Sequence, residues 1–297
     1  MKPETEPAVV VPTTRLRRRT VLCGAAVAAA AVGERVWGSA AEPPLDRLDP
    51  FGDIENFAVL RPYLFDAAGG KHLVSRLWEA YTRSGRREYG EWAVVYVFPW
   101  WRTMIARKDR VSVARIGQKM AQKLAADHPS HVAGYQWAAI HVGTEILSVG
   151  VIDALNQVSR MRTMLEKATA IDAGYFYGLP KLILAKAYAK LPPFPVSIGN
   201  LGRARDMLEE LRPRQAHVFA IWHLFLAETM YLQGDPDGAL SVLAEIEAAV
   251  TPENGATAYV LESTLGDAAT LSKRIQDGTY ERYLWDPLLE PARALPA

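Results

Sequence analysis

The sequence predicts an all-α protein: a solenoid of antiparallel helix pairs with enlarged loops between some of the helices. Three observations carry that expectation. After residue 70, apolar residues recur at three- and four-residue spacing through most of the chain, as one face of a 3.6-residue helix requires. Alternating runs of the kind that build half-buried strands are scarce. Two helix pairs also share a pattern, with Ala204 over Ala239 and Leu208 over Leu243, each 35 residues apart.

Taken in order, residues 1–41 read as an export signal. A basic stretch precedes an apolar run from Val21 to Val32, and small residues follow at Ser39 and Ala41, suiting peptidase cleavage. The run is shorter than the roughly 20 residues of a bilayer span. Arg18-Arg19 followed by Thr20, Val21 and Leu22 resembles a twin-arginine signal; an ordinary secretory signal and an uncleaved anchor are the alternatives. Cys23 is the only cysteine, so cleavage near Ala41 leaves a mature chain with no thiol, no disulfide and no transmembrane span. Charge is uneven. The first 41 residues carry six Lys or Arg against three acids, a net +3, which leaves −2 for the remainder of a chain whose formal charge is +1. Nothing in that remainder attracts nucleic acid or anionic lipid in bulk.

Residues 42–70 mix prolines and glycines with isolated apolar residues and read as an extended or loosely helical lead-in. A single helical domain over 71–297 follows. Leu73, Leu77 and Tyr81 place one helical face, with Trp78 beside them. In REYGEWAVVYVFPWWRTMIARKD the β-branched run favours a strand, yet a lone buried strand would leave its backbone unpaired. We read it as a helix bent near Pro99. Val113, Ile116, Met120 and Leu124 form the next stripe. Three helix pairs follow: HVAGYQWAAIHVGTEILSVG with DALNQVSRMRTMLEKATAID, FYGLPKLILAKAYAKL with LGRARDMLEELRP, and AHVFAIWHLFLAETMYLQG with DPDGALSVLAEIEAAVTP. Residues 256–283 supply one capping helix or two short ones.

The small residues at fixed places let antiparallel helices approach closely. This pattern resembles the tetratricopeptide repeat, whose period is about 34 residues, although the turns near Pro129, Asp172, Pro213 and Pro252 stand farther apart than that. LPPFPVSIGN accounts for part of the surplus as an insertion between two helices of one repeat. Its prolines interrupt helical hydrogen bonding; it is either a ligand rim or structural padding. The segments GVIDAL, LEKATAIDAGY and KLPPFPVSIGN, within residues 126–243, resemble the TRAP-transporter-associated tetratricopeptide proteins. That resemblance implies an exported helical scaffold that associates with a periplasmic solute-binding protein, in some members as an oligomeric ring.

Motifs of catalysis are missing: no HExxH, no phosphate-binding glycine loop and no GxSxG. No cofactor is implied. Of the six histidines, His128 and His131 share a turn with Asp127, but no further ligand has suitable spacing for a metal. Aromatic residues are the stronger signal. In such a solenoid the first helix of each pair lines the concave face, where aromatic groups can clasp an apolar ligand or partner segment. The candidates are Trp92, Tyr96, Trp100, Trp101, Tyr135, Trp137, Tyr175, Tyr177 and Trp222, with Phe194 on the inserted loop and Arg102 from the basic cluster of Arg102, Arg107, Lys108 and Arg110. Filling of the joints between repeats is the competing role for each. Trp100 and Trp101 are adjacent, so only one is expected to face a core. The functional expectation is an exported binding or scaffold protein that holds a protein partner, a small organic ligand or a second copy of itself. An enzyme or accessory factor with an aromatic-lined pocket is the alternative.

Overall fold

The computed structural model describes residues 42–294, which lie within one compact unit. The expectations for the export signal and Cys23 fall outside the described residues. Those residues form eleven α-helices and no strand: α1 (Glu55–Leu64), α2 (Ala67–Ser84), α3 (Arg87–Thr103), α4 (Arg107–Asp127), α5 (Val132–Val149), α6 (Val158–Ile171), α7 (Tyr175–Lys190), α8 (Leu201–Gln215), α9 (Ala220–Leu232), α10 (Pro236–Ala249) and α11 (Gly255–Gln276).

Start signals lie where side-chain chemistry puts them. Asp66, Asn200 and Asp235 each accept a hydrogen bond from a backbone N–H in the first turn of α2, α8 and α10, satisfying a donor that the helix leaves orphaned. Asn254 and Thr257 form a reciprocal capping box at the start of α11. Gly85 closes α2 in the left-handed conformation, at φ 68°, which costs a residue without Cβ little.

Every helix packs on its neighbour in the chain, and the odd-numbered helices also pack on one another in series, from α1 to α3 and on to α11. Helix α1 in turn packs on α11. The odd helices therefore make an inner layer and the even helices an outer one. The burial patterns agree. Helix α4 buries one stripe, Val113, Gly117, Met120, Ala121 and Leu124 among it, and α10 buries only Ala239, Leu243 and Ile246. By contrast, α9 is buried at every position from Ala220 to Met230, as expected for a helix apolar all round. Close approach in the outer joints depends on small residues. A Cβ on Gly134 of α5 would stand 2.5 Å from the backbone nitrogen of Ala125 in α4.

The structure corrects four expectations. The 42–70 segment is no loose lead-in: it holds a short 3-10 turn at Leu45–Leu48, then α1, and α2 begins before Gly69-Gly70. Pro213 lies inside α8 instead of at a turn. Ile116 is 41% exposed, because Ala114, Gly117 and Ala121 face the neighbouring helices and rotate it outward. Trp100 and Trp101 are both buried, because α3 is flanked by α1, α2, α4 and α5. The strand-like VVYVF stretch is helical throughout, and α3 runs through Pro99.

Candidate functional site

Between the inner helices lies a partly open cavity of about 140 Å³. Its helical lining comes from α1, α3, α5, α7, α9 and α11, with Met161 of α6 the one contribution from an even helix. Leu60, Tyr96, Trp137, Ile183, Phe225 and Tyr259 represent the six inner helices in its wall. Leu288, beyond α11, completes the wall. The surface is apolar apart from a few groups whose polar hydrogens are committed. Tyr96 Oη donates to Leu48 O (2.8 Å), Thr144 Oγ1 to His141 O (3.0 Å) and Trp137 Nε1 to Tyr175 Oη (3.1 Å).

One stretch of wall is held by unusual backbone. At the start of α7, Phe176, Tyr177 and Gly178 take left-handed conformations at φ 42°, 60° and 85°. For the two aromatic residues this costs about 1–3 kcal/mol each, and surrounding contacts hold it. Phe176 packs edge-on against Phe51 and Phe219, both at 5.2 Å between ring centres. Gln215 Nε2 donates to Tyr177 O (2.8 Å) and Tyr177 Oη to Glu253 Oε2 (2.7 Å). The result turns the Phe176 ring into the cavity wall.

Two cations share that wall. Lys186 and Lys190, one turn apart on α7, are both buried and both line the cavity. Lys186 pairs with Glu228 of α9 and, at 2.8 Å, with Asp286 Oδ2. Lys190 lies 3.4 Å from both Glu228 Oε1 and Asp286 Oδ2, and also donates to Trp285 O and to Tyr280 Oη. Tyr280 donates in turn to Glu228. Two buried cations thus meet two buried carboxylates, which limits the penalty of burying each. Burial alone would raise the Asp286 carboxyl, but the ammonium groups of Lys186 and Lys190 outweigh it and hold the group at about 2. Burial works to lower Lys186 as well; Asp286 and Glu228 reverse that and hold it above its ordinary value.

The expected site residues separate into three groups. Tyr96 and Trp137 line the cavity, and Tyr175 is joined to Trp137 through its hydroxyl, which then donates to Glu91 Oε1 at 2.8 Å. Glu91 also pairs with Arg87 at 3.0 Å; burial lifts its carboxyl above the usual range against both partners. A second group is structural. Trp92 packs on Tyr89, Trp101 Nε1 donates to Ser148 Oγ (3.1 Å), and Trp222 Nε1 donates to Leu208 O (2.8 Å). Trp100 lies against Gly70 of α2. Arg102, expected to meet a ligand, instead pairs with Asp267 of α11 at 2.6 Å, where both are buried. The third group lies away from the cavity: Tyr135 sits under Lys167 at 4.2 Å, Tyr177 faces Glu253, and Phe194 is 87% exposed on the 191–200 loop. His128 lies beside Tyr81 and His131 caps α5. Among the described residues no group of three or more His, Cys, Asp or Glu gathers as a metal site, and no helix is long and apolar enough to cross a membrane.

The lysine–carboxylate cluster escaped the sequence reading, although a signal was present. Lys186 and Lys190 fall within KLILAKAYAK and Glu228 within HLFLAETMYL. An ionisable residue in an otherwise apolar helix must find a buried partner. No protein-family model matches the chain, and no curated protein matches it.

Proposed function

We propose that the chain is a non-catalytic helical-repeat binding protein that holds a small apolar molecule between its inner helices. The observation that carries this reading is the cavity, walled by the first helix of successive pairs and almost free of uncommitted polar groups. Apolar cavities of comparable size stay dry and accept apolar guests; Lys186 and Lys190, each paired with carboxylates, are the charged exceptions in this wall. The tetratricopeptide-like solenoid is the finer reading of the same helices. It is supported by the alternation of inner and outer helices and by the matched buried pairs Ala204 with Ala239 and Leu208 with Leu243. In that reading the chain is an exported relative of the TRAP-transporter-associated proteins, serving a periplasmic solute-binding or transport system and free to assemble with a partner or with itself.

An enzyme is the second reading, and Glu91 is what favours it: a buried carboxyl with a raised pKa, joined through Tyr175 to Trp137 in the cavity wall. The binding reading is stronger because Glu91 itself is absent from the wall, its oxygens already engaged by Arg87 and Tyr175.

Gly143 provides the test. A Cβ there would meet only Met161 Sδ, at 3.5 Å, with cavity space beyond. Gly143→Leu fills that space while removing a mid-helix glycine, a change that favours helix by about 0.8–1.0 kcal/mol. The expected result is loss of an apolar fluorescent probe by at least about tenfold in affinity, with the thermal midpoint held or raised. Unchanged probe binding in the folded variant rejects the cavity as the binding site.

A further inference from the structure

We propose that the cavity takes an apolar-tailed monocarboxylate, of the size of a medium-chain alkanoate, whose carboxylate enters between Lys186 and Lys190 in place of Asp286. This rests on the reading of the cavity as a ligand site and names the class of ligand.

The wall itself selects the head group. Tyr96, Thr144 and Trp137 have their hydrogens engaged elsewhere, whereas the two ammonium groups already converge on a carboxylate oxygen, Asp286 Oδ2, at 2.8 and 3.4 Å. These are ion pairs in which Asp286 Oδ2 accepts no aligned hydrogen bond; a carboxylate seated with better alignment would make charge-assisted hydrogen bonds, the strong ones in a dry site. A ligand anion added to the present cluster would be a third negative charge against two positive ones. Exchanged for Asp286, it leaves the buried charge balanced, and the hydration regained by the aspartate offsets the desolvation of the incoming carboxylate.

The two carboxylates are not equally replaceable. Glu228 belongs to α9, buried along its length, and also accepts from Tyr280. Asp286 lies on the segment after α11, which is held by one backbone bond, Ala292 N to Arg102 O at 3.0 Å, by the buried side chains of Trp285 and Leu288, and by side chain to backbone contacts. Arg102 donates to Pro287 O (3.4 Å), Arg110 to Leu289 O, and Arg282 to Ala189 O (2.9 Å) and Leu191 O (3.1 Å). Leu288, two residues from Asp286, is part of the cavity wall, so displacing this segment frees the lysines and widens the cavity in one movement. The tail then lies along Ile183, Ala187 and Phe225. A dicarboxylate is disfavoured because its second charge would face that apolar wall unpaired.

The experiment compares octanoate with 1-octanol, equal in tail and different in head, by calorimetric titration of the full chain. Octanoate is expected to bind at least about tenfold tighter, the scale of a charge-assisted contact. Hydrogen exchange at the Leu288 and Ala292 amides, which donate to Asp286 Oδ1 and Arg102 O at 3.0 Å, is expected to quicken when octanoate saturates the protein. Asp286→Asn removes the internal competitor and should strengthen octanoate about tenfold while leaving octanol unchanged; Lys190→Met should bring the acid down to the alcohol. Equal affinity of acid and alcohol overturns the head-group exchange and leaves the apolar cavity standing. Binding of neither overturns both. If Asp286→Asn does not fold, the wild-type exchange measurement decides: octanoate bound with no quickening at Leu288 and Ala292 overturns the displacement.

Discussion

At the scale of single residues, two buried titratable groups pull stability in opposite directions as pH changes. His141 is enclosed in α5, its Nε2–H donating to Val94 O at 2.9 Å, and burial pushes its pKa down to about 4. The unfolded chain therefore binds the proton first, and stability is lost as pH falls from 6.5 towards 4. Asp267 shows the reverse. Burial, only partly offset by Arg102, lifts its carboxyl to about 6. The folded chain takes up that proton first, so stability is gained as pH falls from 6 towards 3.8. A shift of about two units is worth about 3 kcal/mol, so the two effects largely offset over a shared window. Asp267→Asn removes one side of the balance. Its urea-unfolding free energy should fall with acidification between pH 6.5 and 4, so that the wild type gains about 3 kcal/mol relative to the variant across that range. Parallel profiles for the two proteins would show that Asp267 does not titrate with a raised pKa. Neither residue announces this in the sequence. Burial of His141 depends on α3 and α4 closing over it, and Asp267 meets Arg102 across 165 positions of chain.

At the scale of elements, what the sequence made legible depended on how many faces an element buries. Outer helices such as α8 and α10 bury one stripe, so three- and four-residue spacing announces them. Helix α3 is buried on nearly every side, and its VVYVF run carries no period at all; only the argument from unpaired backbone separated helix from strand. Helix α1 went unread because Pro62 lies within its ten residues and glycines and prolines surround it. Small residues were legible as joints, and α5 tests that reading. A methyl group on Gly134 would stand 2.5 and 2.6 Å from the backbone N and Cα of Ala125. Backbone cannot rotate away as a side chain does, so α4 and α5 must separate. Gly134→Ala gains helix propensity worth about 1 kcal/mol, yet overpacking of this kind costs about 1–3 kcal/mol. A net loss of stability is expected in urea unfolding; a gain would mean that the α4–α5 joint is looser than its geometry.

At the scale of the whole described unit, closure is the property that no local pattern could show. Tyr96 and Trp137 were named with other aromatics of the same two helices, and Trp101 and Tyr135, which do not reach the cavity, show that helix membership alone does not pick the inward ring. The lysine cluster and the meeting of α1 with α11 join distant segments, and neither has a period to read. The closing contact is built from several kinds of interaction. Ala256 N donates to Pro50 O at 2.7 Å and Gly255 N to Gly52 O at 3.3 Å. Phe65 packs on Tyr259 at 5.2 Å, and Arg61 grips Glu262 through Nε and Nη2, at 2.9 and 2.6 Å. The ion pair is partly exposed and contributes little by itself; the backbone bonds and apolar contact carry the junction. In an open array of repeats each end touches one neighbour and opens first. Here α1 touches α2, α3 and α11, so opening it exposes part of the cavity wall, Leu60 and Leu64 included. Amides in α1 and α11 should therefore exchange hydrogen only through the opening that also releases α5, with the same dependence on denaturant. Exchange at Leu60 and Leu64 that runs far ahead of Val142, and that does not steepen with urea, would show an array open at its ends. In that case the cavity would be a groove reached from the side, and ligand uptake would need no movement of the segment that carries Asp286.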